Sequence, residues 1–182
     1  MKKILFFIHF FFFLNTVSAQ QDPQYTQYMY NMSVVNPAYA TGTESTLNLG
    51  TLYRTQWVGA VGAPKTLTFF GRMPVNKKVE LGLSLISDDI GDGAKKENNF
   101  FVDFAYVLEL NKKHKLSLGL KAGFTSFQTN FNGFQFESGD TSTDLAFSEN
   151  INMLYPNIGM GAFYFTNKYY VGLSIPNILS SK

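Results

Sequence analysis

Beyond residue 44 the chain alternates apolar and polar side chains with a period of two. Leu81, Leu83 and Leu85 interleave with Glu80, Gly82 and Ser84, and Leu116, Leu118 and Leu120 with Ser117, Gly119 and Lys121. Phe104, Tyr106, Leu108 and Leu110 alternate in the same way with Asp103, Ala105, Val107 and Glu109. Such a period marks strands with two unlike faces. It predicts seven strands, near 45–55, 66–73, 79–87, 100–110, 115–127, 156–165 and 168–175. A strand of about ten residues, at roughly 3.3 Å per residue and about 40° of tilt, rises about 25 Å, the height of the apolar band of an outer-membrane barrel.

The predicted connections alternate in length. Asn76-Lys77-Lys78, Asn111-Lys112-Lys113-His114 and Thr166-Asn167-Lys168 are tight polar turns, whereas 56–65, 88–99 and 128–155 are longer. Short turns on one side and long loops on the other is the topology of bacterial outer-membrane barrels. The Asn-Lys turns open one repeated phrase, NKKVELGLSL, NKKHKLSLGL and NKYYVGLSI, which reads as repeated hairpins because its spacing is irregular. Aromatics gather near strand ends, as at Tyr53 and Trp57, Phe100 and Phe101, and Tyr169 and Tyr170, where interfacial girdles would sit. The expected fold class is all-β, an antiparallel outer-membrane β-barrel, with a secreted sandwich as the alternative that shares the same strands. Seven strands do not close an even-numbered antiparallel barrel, and open edges in lipid cost several kcal/mol per unpaired group. The expectation is therefore about seven strands of a larger, truncated barrel.

Residues 1–19 read as a signal peptide: Lys2 and Lys3, an apolar run from Ile4 to Leu14, then the small residues Val17-Ser18-Ala19. Residues 20–43 form a second unit, and 44–182 the partial barrel. In the second unit Asp22 suits an N-cap and Pro23 the first helical position, and Tyr25, Tyr28, Met29 and Met32 then fall on one helical face. Asn36-Pro37-Ala38-Tyr39-Ala40 follows as a turn, since Pro37 pushes Asn36 toward extended geometry.

Composition narrows the function classes. Losing Lys2 and Lys3 with the leader leaves 13 basic against 13 acidic side chains, so nucleic acid finds no electrostatic foothold and is not an expected partner. With no cysteine there is no disulfide framework, lipid-anchored cysteine, thiolate metal site or cysteine nucleophile. A 16% aromatic share with 15 glycines and only 15% charged residues suits strands facing lipid.

Catalysis finds little footing: the histidines are His9 in the leader and His114 in a lysine-rich turn, and no nucleophile-elbow, zinc-protease, dinucleotide or phosphate-loop motif occurs. The chain reads as non-enzymatic, without cofactor or metal. Asp88-Asp89-Ile90-Gly91-Asp92-Gly93 has carboxylates near glycines but lacks the ligand spacing of a calcium loop, so it reads as a solvated turn. The loop acids Glu137, Asp140, Asp144 and Glu149 read as hydrated surface. Glu80, Asp103, Glu109 and Lys121 fall on the polar side of their strands and would face a wet lumen, where Arg54 and Arg72 could pair with the acids. Lysines 77, 78, 112, 113, 115 and 168 make the short turns basic, which fits solvation or an acidic periplasmic partner.

QDPQYTQYMYNMSVVNPAYATGT, residues 21–43, resembles the mature start of the PorP/SprF-like type IX secretion membrane proteins. YRTQWVGAVGAPKTLTFF, DDIGDG, FFVDFAYVLEL, NKKHKLSLGLKAGF and YPNIGMGAFYFTNKYYVGLSIPNIL follow in family order. Thr41, inserted before Gly42, and Asp92, where the family often has proline, depart from the pattern. The resemblance implies an outer-membrane component of the type IX secretion and gliding machinery in a Gram-negative bacterium. It would contact outer-membrane lipid, other secretion components on the periplasmic side, and large secreted adhesins. It singles out Asp22, Pro23, Gln24, Tyr25, Gln27, Tyr28, Asn36, Pro37, Ala38 and Tyr39 as a cap or plug at the periplasmic mouth, with Tyr and Met side chains as apolar anchors. Arg54, Gln56 and Trp57 would fix a loop, Trp57 as its anchor. Full family members are longer, roughly 300 residues with on the order of 14 strands, within the usual range for such barrels, so this chain would supply the first half. A porin-like or hydrophobic-solute barrel, or a non-functional fragment, are the alternatives.

Overall fold

The computed structural model describes residues 26–41, 46–131, 135–136, 139–140 and 150–179. Asp22, Pro23, Gln24 and Tyr25, the leader, and most of the loop acids lie outside them. A 3₁₀ turn, Tyr28–Tyr30, and a four-residue helix, α1 (Met32–Val35), precede the sheet. The strands are β1 (Asn48–Thr55), β2 (Lys65–Pro74), β3 (Val79–Ile90), β4 (Lys95–Glu109), β5 (Lys115–Thr129), β6 (Gln135–Phe136), β7 (Gly139–Asp140), β8 (Asn152–Phe165) and β9 (Tyr170–Ile175). β6 and β7 pair only with each other. The other seven strands form one antiparallel meander, each beside its sequence neighbour, curled into a half-barrel.

Within the described residues the single amphipathic helix does not form. Gln27 is left-handed (φ 56°) and Asn31 is nearly extended (φ −134°), so the helical path is cut twice. Tyr28, Met29 and Tyr30 are exposed while Met32 is half-buried, so they make no common face. A stretch this short has little helical stability of its own and takes the shape its neighbours impose.

The long connection predicted over 88–99 is also corrected: β3 runs to Ile90, β4 starts at Lys95, and a four-residue turn joins them. Its acids and lysines pair across the ladder, Asp88 with Glu97, Asp89 with Lys96 and Ile90 with Lys95, so polar composition here marks strand above the apolar band. β4 and β5 have 15 residues each. At about 3.3 Å per residue and about 40° of tilt they rise about 38 Å, well beyond a 25 Å apolar band. The 56–64 and 130–151 connections stay long; 75–78, 110–114 and 166–169 are short.

The two faces of the sheet decide between barrel and sandwich. The convex face carries Leu67 and Phe69 of β2, Phe100 and Phe104 of β4, and Leu118 and Leu120 of β5, all substantially exposed. The buried concave face carries Thr66, Thr68 and Arg72 of β2, Glu80 and Ser84 of β3, Asp103 of β4, and Ser117 and Lys121 of β5. In a sandwich the apolar face would be covered and the polar face wet. Here apolar side chains point outward in a continuous band, the polarity of a lipid-facing barrel. No helix among the described residues is long and apolar enough to cross a membrane.

Candidate functional site

The concave wall is covered by the chain's own residues 31–41. Its most constrained piece is Asn36-Pro37-Ala38. Asn36 folds its carboxamide back so that Oδ1 accepts the Ala38 amide at 2.9 Å, an Asx turn that Pro37 makes rigid. The other half of the carboxamide, Nδ2, donates to the Ala162 carbonyl of β8 at 3.1 Å and the Leu173 carbonyl of β9 at 3.5 Å. One side chain thus shapes its own turn and ties it to two strands.

Three glycines make room. A Cβ on Gly119 of β5 would collide with the Ala38 and Pro37 backbone, one on Gly161 of β8 with Asn36 Oδ1, and one on Gly172 of β9 would lie 2.8 Å from Asn36 Nδ2. Gly119 pairs with Gly161, so the cradle runs laterally across neighbouring strands. Only the absence of side chains lets a second layer of backbone approach this closely. Asn36, Pro37 and Ala38 are all buried.

Charged side chains hold the flanks. Lys121 donates to the Ser33 and Val34 carbonyls at 3.0 and 3.2 Å, placing a cation on the free carbonyl end of α1. Ser174 Oγ donates to the Val35 carbonyl at 2.7 Å. Arg72 donates to the Tyr39 carbonyl and lies 5.3 Å from that ring's centroid, and the ring meets Phe163 edge-on at 5.4 Å. The Thr41 amide donates to Glu80 at 3.0 Å. The cations have counter-ions: Arg72 is 3.7 Å from Glu80, and Lys121 is 3.9 Å from Asp103. Arg72, Gly82, Asp103 and Lys121 are successive register partners across β2 to β5. A Cβ on Gly82 would stand 3.1 Å from Asp103 and 3.5 Å from Arg72, so glycine keeps this charged row close-set. Such buried charges require partners; the two cations have both ionic and main-chain ones, whereas Asp103 accepts no hydrogen bond among the described residues and relies on the neighbouring cations.

Of the residues singled out from the sequence, Asn36, Pro37, Ala38 and Tyr39 therefore gather on the wall nearest the short turns. Gln27 and Tyr28 lie toward the opposite end, where they line a cavity of about 350 Å³ with Asn31, Arg54, Thr66 and Thr68. Among the described residues Arg54 pairs with no acid; its guanidinium faces the Gln56 carboxamide, which would accept from it with the amide oxygen turned inward. Trp57 has a left-handed backbone (φ 47°) whose carbonyl accepts the Ala60 amide at 2.9 Å, and the residue is 73% exposed. Glu109 sits at the exposed rim, 3.7 Å from Lys115. The turn carboxylates are taken up by the protein itself: Asp89 accepts the Gly93 amide at 2.8 Å within its turn, while Asp92 reaches the neighbouring loop, accepting the Gly62 amide at 3.2 Å and pairing with Lys65 at 3.3 Å. Among the described residues no three His, Asp or Glu converge as metal ligands would.

An apolar exterior, a polar interior and an internal covering segment describe a membrane barrel wall. Residues 17–182 match the family described as type IX secretion system membrane protein PorP/SprF. The chain belongs to that family. No curated protein and no solved structure matches it. The PorP/SprF assignment makes this a type IX secretion membrane protein, and the match spans both the covering segment and the strands that cradle it. The cradle glycines, Ser33 and Ser174 were not among the residues singled out from sequence, and Thr41 was noted only as an insertion. Yet Gly82, Gly119 and Gly172 each stand in one copy of the repeated hairpin phrase, which was their visible signal.

Proposed function

We propose that this protein is a non-catalytic outer-membrane component of the type IX machinery that assists export or surface display of large adhesins. The observation that carries this reading is the inverted polarity of the sheet together with the family match over residues 17–182. An apolar convex face needs lipid, and the leader-like residues 1–19 supply a route out of the cytoplasm as a cleaved signal peptide. Asn36, Pro37, Ala38 and Tyr39 act as the seat of an internal plug, and Asp22, Pro23, Gln24, Tyr25, Gln27 and Tyr28 extend it. The basic short turns, rich in lysine at 77, 78, 112 and 113, face the periplasm and meet acidic partner components there. Deleting the intact gene should strip a large adhesin from the cell surface while leaving its synthesis unchanged; an unaltered surface proteome would overturn the reading.

A porin-like role draws support from the polar inner wall. Its test is solute uptake, which should fall in the deletion strain under that reading and stay constant under the first. The wall's own covering segment favours the first, since residues 31–41 occupy the surface that a diffusing solute would use.

A further inference from the structure

The charged row beneath residues 31–41 is not closed on itself. Arg72 of β2, Asp103 of β4 and Lys121 of β5 are 4%, 1% and 3% exposed, with Gly82 of β3 between the arginine and the acid. An acid enclosed between two cations is expected to accept hydrogen bonds from them. Among the described residues Asp103 accepts none, and Arg72 Nη2 donates none. Lys121 Nζ stands 3.9 Å from Asp103 Oδ1, outside hydrogen-bond distance. Over Gly82, the point a Cβ would occupy lies 3.2 Å from Asp103 Oδ2 and 3.5 Å from Arg72 Nη2, so the two groups border one gap without bridging it. What draws the cations off the acid is the covering segment. Arg72 Nη1 donates to the Tyr39 carbonyl, and Lys121 Nζ to the Ser33 and Val34 carbonyls at 3.0 and 3.2 Å. Both cations are thus turned from a carboxylate in the wall to main-chain oxygens in the segment.

A carboxylate, with its full charge, is the stronger acceptor for a buried cation, and one left without hydrogen bonds bears the full penalty of its burial. Lys121 needs to move only about 1 Å to bond Asp103, a shift its flexible stem allows without disturbing the strand ladder. The two cations' bonds to residues 33, 34 and 39 can therefore be remade on Asp103 once the segment lifts. The bonds made by Asn36, Ser174 and Glu80 have no such replacement, and they are what keeps the segment seated. We propose that residues 31–41 are a releasable strap, and that Asp103 is the competitor that makes them releasable by taking Arg72 and Lys121 from the strap carbonyls. The row then has two arrangements of the same three side chains, one with the strap seated and one with the cations closed on the acid. The inference rests on the plug reading above and adds that the plug moves: its release bares the Gly119 and Gly161 strip of the inner wall. Asp103 acts here as a positioning residue. Removing its charge weakens the seated arrangement through attraction at 3.9 Å but weakens the released one through direct hydrogen-bonded pairs, so the balance moves toward seated.

The test uses the full-length barrel in phospholipid vesicles with Val34→Cys as the reporter, since the chain has no cysteine and Val34 lies on the strap at 7% exposure. The rate of maleimide labelling then follows strap opening. Asp103→Asn should slow labelling about tenfold or more, the scale of one hydrogen bond to a charged group. The same variant should lower the temperature of the heat-modifiable gel shift, because Lys121 loses its counter-ion. The opposite signs carry the test: an Asp103 that merely holds the wall together would speed labelling as the barrel weakens, and that result overturns the proposal. An unchanged rate overturns it too, with bound water in place of the cations as the partner of Asp103. Asp103→Ser, smaller and neutral, carries the same expectation where the asparagine variant does not insert; failure of both to insert would assign Asp103 to assembly and end the proposal. Labelling is read without secretion, so an unaltered surface proteome in the deletion strain would sink the adhesin role and leave strap release standing.

Discussion

Gly119 sits where a single methyl group has nowhere to go. The atoms its Cβ would meet are backbone atoms of Pro37 and Ala38, which cannot swing aside as a side-chain tip can. Gly119→Val is therefore expected to push residues 36–38 off the wall and leave the strand pairing intact. The absence of cysteine offers a clean reporter: a cysteine at Ala40, 3% exposed, should resist maleimide in the parent and label at least about tenfold faster beside Gly119→Val. Unchanged labelling would show that the cradle does not hold the segment. Lys121 makes a different demand, because Lys121→Met removes the counter-ion of Asp103 and uncaps the Ser33 and Val34 carbonyls together. The loss should reach about 3–5 kcal/mol, read as a lower temperature for the heat-modifiable gel shift. Adding Asp103→Asn should restore part of it; a double variant no better than the single would show that the carbonyl contacts, not the ion pair, carry the energy. Alternation alone placed Asp103 and Lys121 on one face. It could not name their partners, since Lys121 reaches residues 88 and 87 positions away.

At the scale of elements, the strands were legible because alternation is a local property, and their order followed from short turns between neighbours. Their lengths were not. Asp88-Asp89 and Lys95-Lys96-Glu97 look like loop by composition, yet pair as ladder because the barrel wall continues past the apolar band into water. The N-terminal helix failed for the opposite reason. Its apolar spacing was helical, but the wall offered residues 31–41 a set of hydrogen bonds worth more than a marginal helix. The 56–64 loop shows how one element leans on another. Asp92 adopts φ 49°, a geometry closed to proline, and spends its carboxylate on Gly62 and Lys65. Asp92→Ala should raise hydrogen exchange at the Gly62 and Gly91 amides several-fold while changing global stability by less than about 1.5 kcal/mol, since the pair with Lys65 is exposed. Exchange left at the parent rate would mean the loop is braced by its own turns alone.

For the whole molecule, the distribution of polarity is the property that composition hinted at and only the fold made explicit. A 16% aromatic share with few charges fits either a greasy core or a greasy exterior; the choice follows from which strand face the segment at 31–41 covers, a non-local fact. That choice has a measurable consequence that separates depth from burial. Leu120 lies mid-strand on the convex face between Phe104 and Met160, whereas Leu110 stands at the short-turn rim. Both are more than half exposed, so in water replacing either by arginine would cost little. In a bilayer the two diverge, because an arginine at the midplane loses its hydration while one at the rim keeps it. For the full-length barrel folded into phospholipid vesicles, Leu120→Arg should cost about 2–4 kcal/mol and Leu110→Arg about 0–1 kcal/mol, measured by reversible denaturant titration. Equal small costs at both sites would place the convex face in water and undo the barrel orientation. A steep difference fixes the membrane along the sheet, and with it the height of the polar ladder at 88–97 and of the 56–64 loop beside it.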